Sequence, residues 1–110
     1  LKNRNWLDGL ATDQDGNLVE SSKGNVFWYS NGQWYTPIID VAGIEGVVKQ
    51  FILEQVPNVL SSKIKHHEFM QQCEAMFICN SLQGLTPISS LENKKLSIAP
   101  VVDLHSKVTF

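Results

Sequence analysis

The sequence predicts an α+β (mixed α/β) fold: an antiparallel, barrel-like strand meander with one main amphipathic helix over about residues 41–55 and a C-terminal helix. Three observations carry this. Val26-Phe27-Trp28-Tyr29 and Gln33-Trp34-Tyr35-Thr36 are aromatic and β-branched, as strands prefer, and flank Asn31-Gly32, a dipeptide that tolerates the positive φ angles of a tight hairpin. From Val41 the apolar period changes: Ile44, Val47, Val48, Phe51 and Ile52 fall at helical spacing. Met76-Phe77-Ile78-Cys79 is a short continuous apolar run, as a strand buried on both faces shows.

Taken in order, Leu1 to Leu7 is polar and uncommitted, and can be read as the end of a preceding helix. Gly9 to Thr12 and Leu18 to Glu20 read as paired strands around an Asp15-Gly16 turn, and with the Asn31-Gly32 hairpin they make a meander of about four antiparallel strands. Pro37, which has no N–H to donate, ends the last of them. Asp40 is a helix cap, and Gly43 and Gly46 in the first turn suggest a close approach to the backbone. Pro57-Asn58 breaks that helix. Ser62 to His67 reads as a polar edge strand, Glu68 to Glu74 as a helical turn, and Asn80 to Pro87 as a loop. Ile88 to Ser97 turns at Asn93-Lys94-Lys95, and Ala99 to Val108 closes the chain as a helix with Pro100 in its first turn.

Composition narrows the function. A chain of 110 residues fits one domain, and 43% hydrophobic with 18% charged residues is the balance of a folded globular protein. A formal net charge of -2 offers no basic field, so neither nucleic acid nor a membrane surface is an expected partner. No apolar run approaches bilayer length and no signal peptide opens the chain, which makes the cytoplasm the default expectation. Cys73 and Cys79 read as reduced core thiols. His66-His67 would point to opposite faces of a strand and lack further ligands at metal spacing, so no metal is expected. Ser21, His105 and Asp103 could be assembled into a triad only arbitrarily.

Two backbone sites and one carboxylate remain. The glycine-bearing helix start at Gly43 to Lys49 can offer free N–H groups to an anion. The Asn80-Ser81-Leu82 turn after a buried strand can offer more. Glu20, at the end of an apolar strand, needs a partner. Each taken alone is compatible with ordinary turn, cap and edge geometry.

Together they resemble a family. A strand ending in Glu20, then Asn25-x-Phe27, a hairpin, Thr36-Pro37, Gly43-x-x-Gly46 opening a helix, and later Asn80-x-Leu82-x-Gly84-x-x-Pro87 is the order seen in the fold-type IV pyridoxal-phosphate enzymes. These include branched-chain and D-amino-acid aminotransferases and aminodeoxychorismate lyases. The resemblance runs from about Asp8 to Pro87, as the family's C-terminal, cofactor-binding part. Residues 1–110 would then be one domain of a longer two-domain enzyme whose N-terminal domain is absent here.

LVESSKGNVFWYSNGQWYTP and ICNSLQGLTPI look most like the lyase branch, which converts 4-amino-4-deoxychorismate to 4-aminobenzoate and pyruvate for folate synthesis. Lys49 departs from the arginine often found at its position. The resemblance implies that Glu20 faces the ring nitrogen of pyridoxal 5'-phosphate. It implies that Gly46, Val47 and Val48 meet the phosphate with backbone N–H groups, completed by Asn80, Ser81 and Leu82. Ser22 and Gly24 would leave room for the ring, and Asn25 would brace the loop. It also implies a small-molecule substrate and a homodimer.

The family's Schiff-base lysine lies well before the glutamate. Lys2 is only 18 residues before Glu20 and Lys23 follows it, so the covalent lysine is expected to be absent and the chain alone inactive. A fragment of a fold-type IV transaminase is the alternative reading, and a non-enzymatic β-rich binding domain with accidental motif matches is the third.

Overall fold

A computed structural model of the chain describes residues 5–7, 9–21, 23–38, 47–56, 58–92 and 94–109. Its main sheet contains β7 (Ala75–Asn80), whose side chains alternate between two buried clusters. It pairs antiparallel with β4 (Asn25–Ser30) on one side and β8 (Gly84–Ile88) on the other. β4 continues through the Asn31-Gly32 hairpin into β5 (Gln33–Pro37), and β6 (Leu60–Ser62) adds to β5 in parallel, giving the order β6-β5-β4-β7-β8.

Each face of this sheet is covered. Val26, Trp28, Met76 and Ile78 look toward α2 (His66–Gln72) and the smaller sheet β1-β2-β3, with Phe69, Leu10 and Leu18 completing that cluster. Phe27, Ala75, Phe77 and Cys79 look the other way, toward α1 (Val47–Gln55) and α3 (Ala99–Ser106) through Ile52, Val101 and Leu104. Phe27 and Phe77 stack across the β4/β7 ladder with ring centroids 4.8 Å apart. Cover on both faces is why residues 76–79 lack polar alternation.

Several expectations need correction. Residues 5–7 are not the end of a helix but β1 (Asn5–Leu7), paired with β2 (Leu10–Thr12). The meander is broken: β3 (Leu18–Ser21) belongs with β1 and β2, and the Ser21–Gly24 bridge precedes β4. The chain reverses there, so β3 leaves the sheet that β4 enters.

The edge strand read over Ser62 to His67 is β6, which ends at Ser62, and His66 and His67 both open α2. Much of the loop read over Asn80 to Pro87 is the edge strand β8, where Pro87 is tolerated. Lys94-Lys95 is not a turn but β10, paired with β9 (Ser90–Leu91).

The helix start expected at Asp40 to Gly46 lies outside the described residues. Within α1 the buried stripe is rotated from the one expected: Phe51 is 38% exposed, whereas Lys49 is only 2% exposed. Both cysteines are buried free thiols, one in each cluster.

Candidate functional site

Glu20 owes its setting to a β-bulge. Ala11 pairs with Glu20 but Thr12 pairs with Leu18, so Val19 is the extra residue on β3. Such a bulge bends a strand and re-aims the side chain beside it. Glu20 is half-buried, with Oε2 shielded from solvent, and it follows the buried Leu18 and Val19.

The chain then reverses tightly. The Ser21 N–H donates to the Gly24 carbonyl at 2.9 Å, the Gly24 N–H returns to Ser21 at 3.3 Å, and the Lys23 N–H donates to Ser21 Oγ at 3.0 Å. Gly24 has φ +151°, and a Cβ there would stand 2.2 Å from the Cys79 carbonyl oxygen. The structure thus gives Gly24 a reason that the family resemblance did not: its backbone lies directly on the end of β7. Ser22 lies outside the described residues, and Asn25 sits half-buried opposite Cys79 in the β4/β7 ladder.

Asn80 clamps both sides of this meeting point. Its Oδ1 accepts the N–H groups of Leu82 at 2.9 Å and Gln83 at 2.7 Å, which shapes the turn after β7. Its Nδ2 donates to the Lys23 carbonyl at 2.7 Å, which holds the loop after Glu20. Asn80 thus holds the loop that Asn25 was expected to brace. The Leu82 N–H, expected to face a ligand, is engaged within the turn, and the Leu82 side chain is 94% exposed. Ser81 is exposed beside it.

The third component is the first turn of α1. Gly46 lies outside the described residues. Val47 begins the helix, with no acidic residue in its first turn to oppose an anion. Val48 packs against the cluster of Phe27, Phe77 and Cys79. Lys49 follows at 2% exposure, and its ammonium acts on Cys79: burial pushes that thiol up to about 12, while the Lys49 charge pulls the other way. Cys79, which precedes Asn80, thus feels the charge of a residue in the first turn of α1.

The loop after Glu20 and the Asn80–Gln83 turn meet at one end of β7, and Val48 of α1 packs on the cluster to which Cys79 belongs. What the sequence reading missed is Lys49's burial, the Val19 bulge and the double grip of Asn80. For Lys49 a signal existed, since it stands three residues before Ile52 on a helix. Among the described residues no group of His, Cys, Asp and Glu could hold a metal ion.

The chain belongs to the amino-transferase class IV family, whose model matches residues 1–91. Among curated proteins it is 26% identical over 96 residues to the aminodeoxychorismate lyase of Vibrio harveyi, covering 81% of this chain and 35% of that protein. It is 27% identical over 89 residues to the aminodeoxychorismate lyase of Bacillus subtilis, covering 78% and 30%. The chain therefore spans about a third of the length of these relatives.

Solved structures share the fold. A Brucella abortus aminotransferase bound to PLP superposes with TM-score 0.78 at 20% identity, over 86% of this chain and 35% of that one. A Pseudomonas aeruginosa 4-amino-4-deoxychorismate lyase gives 0.75 at 22%, over 92% and 41%. The Escherichia coli branched-chain amino acid aminotransferase gives 0.77 at 16%, over 88% and 35%.

Proposed function

We propose that the chain is the C-terminal, cofactor-binding part of a PLP-dependent lyase that converts 4-amino-4-deoxychorismate to 4-aminobenzoate and pyruvate. The observation that carries this reading is that the two curated relatives described above both bear the name aminodeoxychorismate lyase. The missing part would be an N-terminal domain supplying the covalent lysine and most substrate contacts. The intact enzyme would be a cytoplasmic homodimer serving folate synthesis. No helix among the described residues is long and apolar enough to cross a membrane.

The residues present fit the cofactor. Glu20 has a carboxylate oxygen screened from water at the strand end, suited to accept a hydrogen bond from a ring N–H and hold that proton in place. When bound, the cofactor supplies a protonated ring that withdraws electrons from the substrate carbon losing its proton. The N–H groups at the start of α1, with Ser81 from the turn, would bind its phosphate. Asn80 would keep the two sides in register through the Lys23 carbonyl and the turn N–H groups. Gly24 would keep the loop low against β7, leaving space above it.

The complete protein should release 4-aminobenzoate from aminodeoxychorismate, and Glu20→Ala should lower kcat by about two orders of magnitude, the usual loss for one preorganised electrostatic group. Absence of product sinks the lyase assignment, and near wild-type turnover in the variant sinks the role of Glu20. The likeness to the branched-chain aminotransferase keeps a second reading in view. Amino transfer from glutamate, branched-chain or D-amino acids to a keto acid, without lyase product, would establish that one.

A further inference from the structure

Lys49 carries a charge into the protein where an apolar residue would be ordinary. It is the third residue of α1 and 2% exposed, with Val48 and Ile52 on the same face. Taking an ammonium out of water is costly unless its hydrogen-bonding capacity is met, and Lys49 is indeed engaged. That face packs on Phe27, Ala75, Phe77 and Cys79, the last of these near the end of β7. One residue further, Asn80 shapes the following turn and grips the loop after Glu20.

We propose that Lys49 is a positioning residue whose buried ammonium ties the first turn of α1 to the end of β7 and places a fixed positive charge at that joint, making it selective for a phosphate ester. The tie is inferred from the burial of Lys49 and the packing of its neighbours Val48 and Ile52, whereas the ligand rests on the cofactor reading above. The influence of the Lys49 charge on the Cys79 thiol agrees with the adjacency. A plain packing role makes the opposite forecast, because replacing a buried charge by an apolar side chain of similar volume is often neutral or stabilising.

The test uses the complete protein in its cofactor-free form, with Lys49→Met and Lys49→Arg. Two measurements decide it. In calorimetric titration with pyridoxine 5'-phosphate, which lacks the aldehyde and binds no lysine covalently, Lys49→Met should weaken affinity at least about tenfold. Affinity for phosphate-free pyridoxine should stay within about twofold, and Lys49→Arg should restore most of the loss. Equal affinities in Lys49→Met and wild type, or equal loss for both ligands, overturn the selectivity.

In amide hydrogen exchange without ligand, Lys49→Met should lose protection in the first turn of α1 and around residues 80–83, while Val26 to Tyr29 stays protected. No change, or a uniform change, overturns the tie. If the wild type binds neither vitamer but exchange responds selectively, the cofactor reading fails, with it the phosphate selectivity, and the tie stands.

Discussion

At Gly24 a hydrogen atom stands where any side chain would collide with the Cys79 carbonyl oxygen. Gly24→Ala should cost about 2–4 kcal/mol, combining backbone strain at φ +151° with a clash against backbone. Gly16→Ala is the control: φ is +83° there, but the added carbon would meet only the Lys65 side chain, at 3.9 Å. Urea unfolding of both variants separates the two effects, and equal losses would show that the Cys79 contact contributes nothing.

The two thiols make a second forecast. Burial raises both Cys73 and Cys79 from 9.0 to about 12. Below pH 9.0 folded and unfolded chains both keep these protons, so the thiols contribute no pH dependence. Between 9.0 and about 12 the unfolded chain ionises first, and stability should fall as pH rises. Unfolding midpoints across that interval should drop more steeply in the wild type than in Cys79→Ala, and parallel slopes would contradict it. Residue types in the sequence foretold buried thiols. They did not foretell Lys49, because a lysine in a helical pattern is ordinarily counted as solvated.

Among the elements, β4 and β5 were readable because their turn chemistry is local. Asn31 and Gly32 adopt φ 49° and 78°, as a two-residue hairpin of this twist requires. The seam at the far end of that hairpin is less obvious. Extending the register places Pro37 opposite Val26, and Pro37 brings no N–H; Thr36 Oγ1 donates to the Val26 carbonyl instead, at 2.9 Å and buried. Thr36→Val should therefore cost about 1–3 kcal/mol by stranding that carbonyl, and Thr36→Ser should recover much of it. Chemical denaturation of the pair decides this, and equal stability of Val and Ser variants would refute it.

β8 was not readable, since Gly84 and Pro87 signal a loop by local rules, and only its place at the sheet edge makes a proline acceptable. Apolar spacing alone puts Phe51 on the inward stripe of α1. In the molecule the helix rolls so that Ile52 and the stem of Lys49 face the sheet, and Phe51 is left partly in solvent.

For the molecule as a whole, the family and the mixed α+β fold were both accessible from motifs in order: Glu20, Asn25-x-Phe27, Thr36-Pro37 and the Asn80 to Pro87 pattern. Each motif is short-range chemistry, a turn, a cap or a strand end, and short-range chemistry is written in adjacent residues. How those pieces assemble is a different matter. Nothing local tells that β3 and β4 part into separate sheets, that β6 joins β5 in parallel, or that α1 and α3 share one face of β7. Local preference therefore identified a carboxylate, a glycine-bearing helix start and a polar turn as separate candidates. Packing around β7 brought the loop after Glu20 and the Asn80 turn together at one strand end, because side chains remote in sequence meet only where buried surfaces fit.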